Sequence, residues 1–209
     1  GAATLQNDTF AVTTGEHGEI SELRLVGDDF PTNYVLSPSN APSQDTEDHQ
    51  WLGELIISYR LGGGAWQTAL TNRSADARSI TSSANAVTVT YENSADPEGV
   101  RGFRLTQVYE LVGDALVLSI EFENTSGETL EIGDLGLPMP WNEYWFAPND
   151  RIYETRVMAH SFIGYEGSYI TVQRPSGIGP YLLVLPDAST GAKLEYQDHW
   201  TELEHPGSA

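Results

Sequence analysis

From Phe103 to Ile132 the chain alternates apolar and polar residues in the way an extended backbone requires. Leu116, Leu118, Ile120 and Phe122 fall on one side, Ser119, Glu121 and Glu123 on the other, with Val117 the exception. Successive side chains of a strand point to opposite faces, so the segment predicts a strand with one face buried. The run Phe103-Arg104-Leu105-Thr106-Gln107-Val108-Tyr109-Glu110-Leu111 before it reads as a second strand. Gly113-Asp114 lies between the two and suits a tight hairpin in which glycine takes a positive φ. After the pair, Asn124-Thr125-Ser126-Gly127 is a turn signal leading into Leu130 and Ile132. Together these segments predict an antiparallel meander.

Other segments follow the same rule. Val87, Val89 and Tyr91 alternate with Thr88 and Thr90, and Ile20, Leu23 and Leu25 form an early strand. Leu55-Ile56-Ile57-Ser58-Tyr59 is apolar and β-branched between glycines, as a central strand would be. Tyr169 to Val172 and Tyr181 to Leu185 read as late strands, and Leu194 to Tyr196 as a short last one. No stretch carries a helical repeat. The expected fold is therefore all-β, a large two-sheet antiparallel sandwich of about a dozen strands. It forms a single domain over residues 1–200, with a polar linker or tail over 201–209. Ser37 to Gln50 and Pro138 to Asp150 read as long loops, which in a compact domain are functional or disordered as a rule.

Charge narrows the partners. Thirty acids against ten bases give a net charge of −20, a surface that repels phosphate backbones and anionic membranes. Neutral oligo- or polysaccharides suffer no such penalty. With no cysteine, disulfides and thiolate metal sites are excluded. No run of about 18 apolar residues exists to form a membrane-spanning helix. Three sequons, at Asn7, Asn72 and Asn124, are compatible with loops of a secreted or cell-surface chain.

At the meander a resemblance enters. The runs Tyr109-Glu110-Leu111, Asp114-Ala115-Leu116-Val117-Leu118, Phe122-Glu123-Asn124-Thr125-Ser126 and Leu130 to Pro138 resemble the galactose-mutarotase-like supersandwich. The resemblance covers about half of the chain and rests on strand-and-turn patterns. It implies a domain of the kind that stands at the N-terminus of glycoside hydrolases, phosphorylases and polysaccharide lyases, within a large secreted family otherwise of unknown function. In those enzymes the acid and base usually sit in a helical catalytic domain, which this sequence lacks. The resemblance thus implies a non-catalytic accessory sandwich that binds glycan or packs against a catalytic partner. Fold analogy does not establish activity. A stand-alone mutarotase, epimerase or lyase and a purely structural module remain the alternatives.

The most conspicuous candidate site is Pro140-Trp141-Asn142-Glu143-Tyr144-Trp145-Phe146, aromatic and interleaved with an amide and a carboxylate. Trp141, Tyr144 and Trp145 would stack on the C–H faces of sugar rings, and Asn142 and Glu143 would bond hydroxyls. The competing reading is that Trp141 or Trp145 anchors the loop in the core. His49 and Trp51 form a second candidate, and Tyr165, in a glycine-flanked loop, a third. No spacing selects catalytic residues, a metal site or a cofactor site: His-Glu-x-x-His, the Ca²⁺-loop pattern and the nucleophile elbow are all absent.

Overall fold

The computed structural model describes residues 2–37, 51–142, 151–163 and 168–190. The expected linker over 201–209 and the strand at Leu194 to Tyr196 lie outside them.

The architecture is all-β and antiparallel. Among the described residues thirteen strands follow one another: β1 (Ala3–Gln6), β2 (Phe10–Thr14), β3 (Ile20–Leu25), β4 (Ile56–Leu61), β5 (Gln67–Leu70), β6 (Arg78–Ser82), β7 (Ala86–Glu92), β8 (Phe103–Val112), β9 (Ala115–Asn124), β10 (Leu130–Gly136), β11 (Met158–Ile163), β12 (Ser168–Gln173) and β13 (Leu182–Val184). Among the described residues the one α-helix, α1, is a single turn at Ile152–Thr155. The strands divide over four sheets, ordered β1-β2-β3, β10-β4-β5, β6-β7-β8-β9 and β11-β12-β13.

The β8–β9 hairpin forms as the alternation requires, but the expected three-stranded meander does not. β10 leaves β9 and pairs with β4, Leu130 opposite Leu61 and Ile132 opposite Tyr59, because its apolar residues find a better-covered partner in that central strand. Phe103, Leu105, Gln107, Tyr109 and Leu111 of β8 are all buried, while the residues between them are partly or fully exposed. The strand pairs β9 in register from Phe103↔Asn124 to Val112↔Ala115, leaving Gly113-Asp114 as the two-residue turn. Gly113 has φ 59, a value that L side chains rarely adopt. At the far end of β9 the Asn124 carboxamide accepts the Ser126 amide at 3.0 Å and donates to the Glu128 carbonyl at 2.6 Å, closing the turn into β10.

β4 is the centre of its sheet, with Ile56, Ile57, Ser58 and Tyr59 buried on both faces. A single cluster of buried apolar side chains draws on all four sheets, from Leu5 and Val12 through Ile57, Val89 and Phe103 to Val172 and Leu182. Apolar faces that would each meet water alone are buried against one another, which is what makes a sandwich stable.

Candidate functional site

Trp141 and Asn142, both expected at a sugar site, are built into the interior. Trp141 is 5% exposed and belongs to the core cluster. Its backbone bridges Val35, and the Leu36 amide bonds the Pro140 carbonyl at 2.8 Å. A ring so enclosed has no face to offer a sugar; the segment gains more by burying the indole than by displaying it. The anchor reading of Trp141 is the one realised.

Asn142 is 3% exposed and spends its amide on the fold. Its Nδ2 donates to the Asn33 carbonyl at 2.8 Å and the Thr155 carbonyl at 3.1 Å, and its Oδ1 accepts Arg156 Nη1 at 2.9 Å. It therefore ties the stretch around Tyr34 to the end of α1. Trp51, 4% exposed, is also a core residue, its amide donating to Glu54 Oε2 at 3.3 Å. Glu143, Tyr144, Trp145, His49 and Tyr165 lie outside the described residues.

Beneath Trp51 two acids are buried together. Glu19 and Glu54 are 4% and 3% exposed. Burial raises the Glu54 carboxyl from 4.5 to about 7; the Trp51 amide works against this and the neighbouring Glu19 with it. Gly53, with φ 99, turns its carbonyl toward Gln107 Nε2 at 2.7 Å and the Tyr109 hydroxyl at 3.1 Å. Tyr109 also donates to the Gly18 carbonyl at 2.8 Å, and its burial pushes its own pKa up. These groups stitch the two turns that carry Glu19 and Glu54 onto β8. They are too enclosed to meet a polysaccharide. His17 lies beside Glu19, but its Nδ1 stands 4.0 Å from the carboxylate, beyond a hydrogen bond.

A shallow concavity of about 540 Å³ is lined by Asn72, Arg73, Ala75, Asp76, Ala95 and Asp96. Its charges satisfy one another: Arg73 pairs with Asp96 at 3.1 Å, and Asp76 accepts the Ser94 hydroxyl and the Ala95 amide, each at 2.7 Å.

The exposed apolar surface gathers elsewhere, on the outer face of the β11-β12-β13 sheet. Val172 and Leu182 point inward and are buried. By alternation the opposite parity points out, and the strand register sorts it into rows. Phe162 stands opposite Tyr169, His160 opposite Thr171 and Met158 opposite Gln173. Leu183 continues the middle row beside Thr171. Tyr181 and Leu185, just before and after β13, share the parity of Leu183 and are 62% and 59% exposed. Phe162 and Tyr169 stack with ring centroids 4.8 Å apart and planes 17° apart. Tyr169 to Val172 and Tyr181 to Leu185 were expected as strands and are, but no strand was expected over Met158 to Ile163, so the pairing that sets Phe162 against Tyr169 was not foreseen. The signal was present in the parity of Tyr181, Leu183 and Leu185.

No curated protein matches the chain at a significant level. Among solved structures it is similar to one described as a polysaccharide lyase, with a TM-score of 0.63 and 19% identity over 88% of this chain. The match spans 24% of that protein, so the chain corresponds to about a quarter of its length. At this identity the likeness is one of fold. A family model matches residues 26–207, which takes in β4 to β13 and leaves out the β1-β2-β3 sheet, and the chain belongs to DUF5695, a family of unknown function.

Proposed function

We propose that this chain acts as a non-catalytic β-sandwich of a larger, secreted carbohydrate-active protein, where it contacts neutral polysaccharide or packs beside a catalytic partner. The observation that carries this reading is the fold likeness to a quarter of a polysaccharide lyase. The matching part is about a quarter of that protein, so a sandwich of this kind would work there as one part among others. The supersandwich resemblance of the sequence from β8 to β10 supports the same assignment. So does the chemistry of the core, where Glu19 and Glu54 are enclosed and bonded to backbone turns.

The test is to incubate the isolated chain with a panel of polysaccharides and follow new reducing ends and new ultraviolet-absorbing double bonds. No turnover is expected. Cleavage by the chain alone overturns the accessory reading in favour of a stand-alone enzyme.

A further inference from the structure

We propose that the outer face of the β11-β12-β13 sheet is a binding surface for a neutral glycan chain, with the stacked rings of Phe162 and Tyr169 as its anchor. The inference rests on the accessory reading and supplies it with a site.

Scattered exposed apolar residues are ordinary on protein surfaces, but a contiguous field of them marks a contact surface. Phe162, Tyr169 and Leu183 are 46%, 40% and 52% exposed, on three hydrogen-bonded neighbours. Their positions are locked by register, so the field is held by the sheet rather than by loops. The two rings hold each other upright, and a partner meets them with little side-chain entropy left to lose.

The composition of the face selects the partner. Among the described residues the outward side chains of the three strands include no Asp, Glu, Lys or Arg, in a chain whose net charge is −20. A neutral ligand approaches without desolvating a charge, whereas a polyanion is repelled by the surroundings. Polar groups in protein–protein interfaces gather at the rim. Here His160 and Thr171 form the row next to the rings, with Gln173 one row further, inside the apolar field. Ring faces alternating with hydrogen-bonding groups suit a sugar, whose C–H faces and hydroxyls alternate in the same way.

Affinity electrophoresis tests the proposal, with gels containing a mixed-linkage β-glucan, a xylan, a galactomannan or, as the anionic probe, polygalacturonate. Retardation by at least one neutral polymer and none by polygalacturonate is expected. Phe162→Ala and Tyr169→Ala each weaken binding about tenfold, the loss of one stacked ring. Tyr169→Phe retains affinity, as does Val117→Ala on the remote outer face of β9. All three positions are exposed, and unchanged far-ultraviolet dichroism and melting temperature verify the fold of each variant. The site is overturned if no neutral polymer retards the wild type, if only polygalacturonate does, or if the ring variants bind as the wild type does. Self-association abolished by Leu183→Asp, without glycan retardation, gives the face to a protein partner and equally overturns it. Absent retardation with no turnover removes the site and leaves the accessory reading standing; turnover by the isolated chain removes that reading instead.

Discussion

Arg174 reaches across 146 positions of sequence to Asp28, and the two side chains form an ion pair that is 0% and 2% exposed. The guanidinium also donates to Thr32 Oγ1 and to the Ile178 carbonyl, and lies 4.6 Å over the Phe30 ring. One residue past the end of β12, it fastens the last sheet to the segment that follows β3. A buried charge is tolerated when its partner and hydrogen bonds are in place, and removing one member leaves the other uncompensated. Arg174→Met should therefore cost about 3–5 kcal/mol in urea unfolding. Adding Asp28→Leu should recover part of that loss. A double-mutant cycle with a coupling below about 1 kcal/mol would show that the pair does not act as a unit.

Glu54 makes stability depend on pH. In the folded chain its carboxyl holds a proton up to about pH 7, against an ordinary value of 4.5. The folded state thus binds the proton more tightly than the unfolded one, and stability falls as pH rises between those values. The contribution is fully present below about pH 4.5 and lost as pH passes through about 7, a change on the order of 3 kcal/mol. Around Glu54 stand Glu19, Arg78, Tyr91 and Tyr109. Glu54→Gln should flatten the profile and leave the variant more stable than the wild type at pH 8. Parallel urea curves for the two proteins from pH 5 to 8 would contradict this.

Trp141 should behave as a core residue. Trp141→Ala should lower stability by about 3–5 kcal/mol, as large truncations in cores do. Trp141→Phe should cost less than half of that, because the indole Nε1 has no hydrogen-bond partner among the described residues to lose. Glycan binding measured below the melting temperature should be unchanged in Trp141→Phe. A selective loss of affinity with full stability would return the ring to a ligand site.

Gly53 tolerates no side chain. Its φ of 99 is strained for any L residue, and an added Cβ would fall 2.2 Å from Tyr109 Oη. Gly53→Ala must displace the tyrosine that bonds the Gly18 and Gly53 carbonyls. A loss of at least about 2 kcal/mol is expected in thermal or urea unfolding. A melting temperature equal to that of the wild type would contradict it.

The hairpin of β8 and β9 was legible because all its determinants are local. Alternation chose the buried face, Gly113-Asp114 chose the turn, and the ladder could then close in one register. β4 was legible as a central strand for a similar reason, since the unalternating apolar run Leu55-Ile56-Ile57 fits a strand covered on both faces. β11 was not, because the glycine that follows it in the sequence suggested a loop, and its pairing with β12 from Met158↔Gln173 to Ile163↔Ser168 prevailed over that local cue.

Local order along the chain settled that this is a β-protein with the β8–β9 hairpin in it, since strand periodicity and turn chemistry act within a few residues, whereas the sheet that β10 joins was set by its distant partner β4. Which aromatics meet solvent was settled by packing between distant segments. Trp141 is buried because Val35, more than a hundred positions earlier, bridges its backbone and brings the core over it. Tyr169 is exposed because its parity on β12 is opposite to that of buried Val172. An indole or a phenol prefers burial wherever a surface is offered, and only the assembled sheets decide which one receives it.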